Sequence, residues 1–516
     1  MKSGKDDTDT NSDAPGLDTS VEPGVWRYAT AERASVIIDA EGYFAHMQQA
    51  MLNARRRIML IGWDFDTRIH LTQGRRWYER PVDASYPARL GGFLLWLTRN
   101  RDDLQINILK WGLSIFQLST RGSMVLDLVR MWPKRQINFK FDTKHPVGCT
   151  HHQKLAVLDE KLAVCGGIDL THDRWDTRAH TEIEPKRKRP RGQPYGPWHD
   201  VTFMMEGEVA EVLSGLCRAR WERAGADPLE NLVPAETSLW PDKLAVEFED
   251  VEIGIARTRA EYEDVSAIAE IETLMLNQIA GAKRFIYIEN QYFTSRKIAD
   301  AIISRLREDD PPEIVLVHPE HAEGWLEMQA MDHARSAIAR LIEEADTKDR
   351  FKLYVAWSGE KSIYIHAKLM IVDDRILRIG SANLNNRSMG LDSECDVFVD
   401  CGRKANRERG FEDTIKNLRF SLLAEHCGVS EETMAEVTGS LGSMHQAIER
   451  LGQDGIRQLR PFVIPELGKT EETLAEAQFL DPENPDDMFE PYAHGGLFRE
   501  GSRLARLRDR LKRKKT

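Results

Sequence analysis

An imidazole two residues ahead of an ammonium occurs twice in this chain, each time followed at the same distance by a carboxylate. His152-Gln-Lys154-Leu-Ala-Val-Leu-Asp159 and His366-Ala-Lys368-Leu-Met-Ile-Val-Asp373 both read H-x-K-x4-D. The agreement runs on: Gly166-Gly167-Ile-Asp169 matches Gly380-Ser381-Ala-Asn383, and 366 − 152, 380 − 166 and 383 − 169 all give 214. One such pattern arises by chance at on the order of one position in ten thousand. Two in a single register mark an internal repeat, and a repeat governs how the rest of the chain is read.

Imidazole beside ammonium is chemistry for a phosphate. In an extended strand, residues i and i+2 share a face, so His152 aligns with Lys154 and His366 with Lys368. The aspartate seven positions on falls on the opposite face, where it braces the structure. Asp159-Glu160-Lys161 and Asp373-Asp374-Arg375 read as turns, each leading into a second apolar strand, Leu162 to Cys165 and Ile376 to Ile379. Glycines closing each hairpin admit a close backbone approach to a ligand. Lysine supplies a point charge, and Gly166, Gly167, Asp169, Ser381 and Asn383 are the expected phosphate-binding residues beside it. The neighbouring ammonium repels a divalent cation, so neither a metal nor another cofactor is expected at the histidines.

Elements that must position these groups recur in both halves. Helical periodicity over Tyr43 to Asn53 precedes the apolar run Ile58 to Trp63, and a helix over about Ile271 to Ala280 precedes Phe285 to Ile288. Strand-like runs follow at Leu104 to Leu109, Ile137 to Phe141, Ile314 to Val317 and Phe351 to Trp357, with helical segments such as Ala330 to Glu344 between them. Alternating strands and helices predict a layered α/β architecture. Pro228, Pro234 and Pro241 mark a linker between the halves, and a Pro-bearing, helix-poor stretch is expected from residue 431 to a basic end.

The duplicated motif and its surroundings resemble the phospholipase D superfamily, and the lipid-hydrolysing phospholipases D in particular. Flanking segments carry the likeness: Cys149-Thr-His-His-Gln-Lys154, Gly166-Gly-Ile-Asp-Leu170, Arg174-Trp-Asp176 and Pro197-Trp-His-Asp200 in the first half. In the second they are Ile288-Glu-Asn-Gln-Tyr-Phe293, Gly380-Ser-Ala-Asn383, Asn386-Arg-Ser-Met389 and Asp392-Ser-Glu394. Over residues 25 to 430 the resemblance implies two homologous α/β lobes packed as an intramolecular pseudo-dimer in a monomeric chain, with both His-Lys pairs meeting at the interface. The expected division is a disordered tail (1–24), lobes at 25–223 and 255–430 joined by a linker (224–254), and an extension (431–516).

The resemblance also implies a catalytic set of His152, Lys154, Asp159, His366, Lys368, Asp373 and Glu394. His152 is the expected nucleophile, forming a phosphohistidine, and His366 the acid/base. Glu394 lies 28 positions after His366, where the family places a carboxylate that orients the imidazole. The same offset in the first half falls on His180, so Asp169 and Asp176 are the candidates to orient His152. The implied activity is hydrolysis of a glycerophospholipid such as phosphatidylcholine to phosphatidic acid. The alternatives are a phosphatidyltransferase of the cardiolipin-synthase kind and, third, a nuclease of the same superfamily.

Composition bears on these choices. A formal charge of −12 and a pI near 5.8 disfavour a general nucleic-acid binder. No apolar run reaches the ~18–20 residues needed to cross a bilayer, and the polar N-terminus carries no signal core. A cytoplasmic or peripherally membrane-bound protein acting at a phospholipid surface is expected, with non-classical export left open. Six scattered cysteines suit a reduced chain. Three segments have two readings each. Lys186-Arg-Lys-Arg-Pro-Arg191 is a solvated loop or a headgroup contact. Trp111-Gly-Leu-Ser-Ile-Phe116 is core or an interfacial loop. Arg503 to Leu511 is a soluble tail or a basic helix on an anionic membrane.

Overall fold

Alternation of apolar side chains decides how the strands of this protein stack. The computed structural model describes residues 22–72, 86–112, 122–323, 325–452, 455–465 and 481. The N-terminal residues 1–21, the greater part of the Trp111–Phe116 run and the basic tail lie outside them.

The first half runs β1 (Arg27–Ile38), α1 (Ala40–Asn53), β2 (Arg57–Gly62), α2 (Leu90–Asn100), β3 (Gln105–Trp111), α3 (Ser123–Met131) and β4 (Ile137–Asp142). The hairpin β5 (Leu155–Leu158) and β6 (Leu162–Gly166) follows, then β7 (Trp198–His199), β8 (Val201–Glu206) and α4 (Glu208–Arg223). The second half opens with β9 (Phe248–Arg259), β10 (Ile268–Ala269), α5 (Glu270–Gly281), β11 (Phe285–Asn290), α6 (Arg296–Leu306), β12 (Glu313–His318) and α7 (Trp325–Ala345). Strands β13 (Phe351–Ser358), β14 (Lys361–Ser362) and β15 (Tyr364–Ile365) lead to the hairpin β16 (Lys368–Val372) and β17 (Ile376–Gly380). The chain then forms β18 (Glu394–Asp400), α8 (Phe411–Cys427), α9 (Glu431–Leu441), α10 (Met444–Leu451) and β19 (Arg457–Pro461).

Strand pairing repeats between the halves. The first sheet has the order β4-β3-β2-β5-β6-β8-β1 and the second β13-β12-β11-β16-β17-β18-β9, parallel across the first two pairs and antiparallel beyond. Strands β1 and β9 pair antiparallel with each other and join the two sheets.

In β2, Met59 and Ile61 enter a central core while Ile58 and Leu60 face an outer one; in β16, Leu369 and Ile371 go inward and Met370 and Val372 outward. The period of two thus serves both faces of each sheet. The central core joins inner faces of both sheets and the apolar sides of α4 and α8. Helices α1, α2 and α3 cover the outer face of the first sheet, and α5, α6 and α7 that of the second. The mixed α/β class expected from the sequence is the one observed.

Both motif turns hold their two central residues at positive φ, Asp159 and Glu160 in one, Asp373 and Asp374 in the other. Small polar carboxylate side chains tolerate that backbone region better than most. Each motif aspartate then anchors the start of a neighbouring strand. Asp159 accepts from the backbone N–H groups of Arg55, Arg56 and Arg57 at 2.6–2.8 Å, and Asp373 from those of Lys283, Arg284 and Phe285 at 2.7–2.9 Å. The two aspartates grouped with the catalytic set are therefore braces. Asp159→Ala, which strands three amides, is expected to cost about 2–4 kcal/mol of stability in denaturant unfolding. Turnover per folded molecule should stay within a few-fold; a loss as deep as that of the histidine variants would place Asp159 in the chemistry.

Two expectations change in the C-terminal part and the linker. The stretch after residue 431 is not helix-poor: α9 and α10 are capped by Ser430 and Ser443, whose side chains accept from Thr433 and Gln446 N–H groups. The prolines that suggested otherwise, Pro461, Pro465, Pro482 and Pro485, all come after both helices in the sequence, the last two outside the described residues, and β19 extends the second sheet along β13. Residues 224–247 hold no helix or strand, but β9 already begins at Phe248.

Candidate active site

The motif histidines sit just ahead of their strands, not in them, and each is tied to the opposite half. His152 N–H donates to Ser393 O at 3.0 Å, and His366 N–H to His199 O at 2.8 Å. The acceptors directly precede Glu394 and Asp200, and those two carboxylates hold the imidazoles. Glu394 lies 3.1 Å from His152 Nδ1 with both oxygens; Asp200 Oδ2 lies 2.7 Å from His366 Nδ1. The carboxylates are exchanged between the lobes.

This corrects the expected assignment of Glu394 to His366. Strand register supplies the reason. Gly166 pairs with Thr202 and Gly380 with Asp396, so Thr202 corresponds to Asp396 and Asp200 to Glu394, an offset of 194 (396 − 202). The first half carries about 20 extra residues between β6 and β8 (214 − 194), so carrying the motif offset forward lands on His180 instead. His180 and Asp176 belong to a separate buried cluster, and Asp169 faces Lys154 at 3.4 Å. Asp200 lies within the Pro197-Trp-His-Asp200 segment, but only the strand register gives it a role.

Several expected phosphate contacts have other occupations. The Ser381 hydroxyl donates to Glu394 Oε2 at 2.5 Å and accepts the Cys395 N–H, while Ser388 donates to Glu394 Oε1 at 2.7 Å. The Asn383 N–H donates to Ser388 Oγ. A Cβ at Gly167 would lie 2.0 Å from Asp200 Oδ1, and one at Gly166 would run into Thr202, so these glycines make room for the protein's own groups. Asp169 also accepts the Trp63 N–H at 3.1 Å. Lys154 Nζ donates to His152 O and Lys368 Nζ to His366 O and to Gln291 Oε1 at 2.9 Å. Gln291 comes from the Ile288–Phe293 segment but is not in the expected set. Trp198 packs 5.2 Å from the His366 ring with the Arg174 guanidinium over its other neighbourhood, 4.4 Å from the indole centroid.

Electrostatics favour the neutral form of both imidazoles. Burial, then the ammoniums of Lys154 and Lys368, hold His152 well below the ordinary histidine range. Burial, then Lys368 and Arg174, do the same to His366. Burial also pushes Lys368 down to about 7, Glu394 up to about 8 and Asp200 up to about 6.

A buried carboxyl raised above its unfolded value stabilises most below pH 4.5 and loses that contribution as pH rises towards about 8. Glu394→Gln removes this penalty, so its thermal midpoint should rise by a few degrees at pH 8 and be unchanged near pH 4. Its kcat should fall about 100-fold or more, because an amide orients but cannot stabilise an imidazolium. A stable, fully active variant would end the positioning role.

The two basic-loop readings are also separable. Arg187 is buried against Asp176, and the half-exposed Arg189 pairs with Asp173 at 2.8 Å, so two of the loop's three arginines are paired with the protein's own carboxylates. All six cysteines are buried and free. Among the described residues no helix is long and apolar enough to cross a membrane.

The fold and site together define a doubled α/β unit with one His-Lys pair per half, each imidazole held by a carboxylate from the other half. Similarities to known proteins narrow it. A family model described as "Cardiolipin synthase, PLD-like domain" matches residues 275–410. Phospholipase D A of Dictyostelium discoideum is 24% identical over 437 residues, covering 71% of this chain and 33% of its own length. Phospholipase D alpha 1 of Nicotiana tabacum is 23% identical over 521 residues, covering 74% of this chain and 63% of its own. The chain thus spans between a third and just under two thirds of the length of these relatives. Phosphatidylserine synthase of Haemophilus influenzae Rd KW20 superposes with a TM-score of 0.50 at 11% identity, over 82% of this chain and 96% of that one. The family model and the curated relatives together support a member of the phospholipase D superfamily, and the solved neighbour shares its fold.

Proposed function

We propose that this protein is a phospholipase D, cleaving glycerophospholipids such as phosphatidylcholine to phosphatidic acid and the free headgroup. The observation that carries the reading is the pair of imidazoles, each fixed at Nδ1 by a carboxylate from the other half, with Nε2 left to a substrate. The naming of the matched relatives supports a phospholipid substrate.

A phosphodiester resists attack because its anionic oxygens repel nucleophiles and its alkoxide leaves poorly. Lys154 and Lys368 neutralise those oxygens. The neutral Nε2 of His152 attacks phosphorus, and protonated His366 gives its proton to the departing headgroup oxygen. His366, now neutral, takes a proton from water, which displaces His152 from phosphorus. Glu394 and Asp200 stabilise whichever imidazole carries positive charge.

The acid's proton must be acquired against a depressed affinity, and the substrate's negative charge supplies the compensation. As pH rises, protonating His366 becomes costlier while Lys368, held at about 7, loses its charge. kcat/KM is therefore expected to fall above about pH 7, measured on a soluble short-chain lipid. A rate that climbs to pH 9 would reject this proton inventory.

The description of the matched family favours one other reading, phosphatidyl transfer of the cardiolipin-synthase kind. Incubation with phosphatidylcholine and, separately, phosphatidylglycerol vesicles distinguishes them by mass spectrometry. Headgroup release from phosphatidylcholine, absent in His152→Ala, supports the hydrolase. Cardiolipin with free glycerol from phosphatidylglycerol, without phosphatidic acid, supports the transferase. No product from either lipid rejects both.

A further inference from the structure

Behind the active site, four carboxylates and three histidines are buried where the two halves meet, and the reaction above uses none of them. Asp39, His180, His199 and Glu425 place one ligand atom each within 4.8 Å of all the others. Asp39 directly precedes α1, His180 lies in the 20-residue insertion, His199 is in β7, and Glu425 comes from α8 of the second half. We propose that these four residues form a structural site for a divalent transition-metal ion of the zinc class, pinning the lobes together next to Asp200.

The geometry is that of ligands around an ion. His199 Nδ1 lies 3.0 Å from Glu425 Oε1 and 3.3 Å from Asp39 Oδ1; His180 Nε2 lies 2.9 Å from Glu425 Oε1 and 3.4 Å from Asp39 Oδ2. Bonds of about 2.0–2.2 Å to nitrogen and oxygen in a tetrahedron give ligand–ligand edges of roughly 3.3–3.6 Å. The four separations above lie within about half an ångström of these edges. His199 Nδ1 and Asp39 Oδ2, in residues 0% and 1% exposed, have no hydrogen-bond partner among the described residues. Asp39 stands at the start of α1, where an aspartate ordinarily caps the helix, yet its side chain makes no cap hydrogen bond. Its Oδ1 accepts the Asp200 N–H at 3.2 Å.

The remote ring nitrogens are arranged as those of metal-bound histidines are. His180 Nδ1 is 3.0 Å from Asp176 Oδ2 and His199 Nε2 is 2.8 Å from Glu289 Oε2, so each ring is oriented by a carboxylate that is not itself a ligand. That outer pairing fixes the tautomer and strengthens the imidazole as a donor. Glu289 is in turn held by the Tyr287 hydroxyl at 2.6 Å and His426 Nε2 at 2.9 Å.

Charge points the same way. Asp39, Asp176, Glu289 and Glu425 bring four negative charges, against two guanidiniums, Arg187 on Asp176 and Arg178 on Glu425. Two positive charges are missing, and one divalent ion with neutral imidazoles supplies them. The competing occupant is a pair of protons: against burial, Asp39, Asp176 and Glu425 push His180 up to about 9 in the absence of an ion. The ion takes no part in the reaction. It lies behind the residue that orients His366 and is loaded as the chain folds, since no ligand is exposed.

Protein produced in zinc-supplemented medium, washed with chelator while folded and analysed by mass spectrometry for metals, decides between the two. About one equivalent of zinc should survive the wash and be released on unfolding in chelator. Asp39→Asn and His180→Gln should each retain less than about a fifth of that. Wild-type protein refolded with Co(II) alone should show the intense visible absorption of tetrahedral cobalt, a readout independent of whether the variants fold. Metal-free, colourless wild-type protein would overturn the proposal in favour of protons. Zinc retained in full by both variants would overturn it by placing the ion elsewhere.

Discussion

His152→Ala and His366→Ala are each expected to lower kcat/KM by about ten-thousand-fold or more, and the double variant should be no slower than the slower single. The reason is that neither imidazole works without the other. A nucleophile facing an unprotonated leaving group must expel an alkoxide, and a proton donor facing no nucleophile has nothing to complete. Residues that act as one unit are grossly non-additive. Burial sharpens the effect, because His366 is only 4% exposed along its side chain and His152 15%, so bulk water enters poorly as a substitute. Rates on a soluble short-chain lipid, with protein purified free of host enzyme, are the measurement. If either single variant kept more than about a tenth of the wild-type rate, the two-histidine mechanism would be wrong.

The second large effect is stereochemical and close to all-or-none. Displacement by His152 followed by displacement by water inverts phosphorus twice, so a chiral phosphorothioate lipid should give product with retained configuration. Direct attack by activated water would invert it once. The same intermediate partitions between water and any alcohol that reaches His366. Adding a primary alcohol should therefore divert product to the phosphatidyl alcohol while total headgroup release stays nearly constant, provided that formation of the intermediate limits the rate. An inverted product excludes the covalent route and removes His152 as nucleophile, even if both histidines prove essential.

What could be read from residues alone was whatever repeats locally. The two motif hairpins, their turns and the helix–strand pairs before them follow from short periodicities, and α1, β2, α5 and β11 lie within a few residues of the segments expected. The bracing aspartates were legible too, because seven positions along a strand changes face. The partner of each imidazole was not. Glu394 and Asp200 reach across to the other half, and no local pattern encodes which distant element docks where. The insertion between β6 and β8 compounded this by breaking the constant offset, hiding Asp200 behind His180. The helices α9 and α10 escaped for a different reason. Met444, Ala447, Ile448 and Leu451 do carry helical spacing, but eight residues give little periodic signal beside conspicuous prolines.

Exchange of the orienting carboxylates has a consequence for how this protein can be divided. Cutting the backbone within 224–247 severs no helix or strand, and each fragment would keep one complete sheet with its outer helices. Yet each fragment would also carry an imidazole stripped of its carboxylate and a carboxylate with no imidazole to hold. The chemistry is thus a property of docking: separately produced fragments should be inert and regain turnover on mixing, as β1 finds β9 and Glu394 and Asp200 return to their rings. Covalent continuity fixes only the stoichiometry, one first half to one second. That ratio matters because the lobes are unlike, with Ser381 and Ser388 supporting Glu394 and the glycine pair making room for Asp200. Two copies of either fragment would pair like with like and duplicate one of the rings.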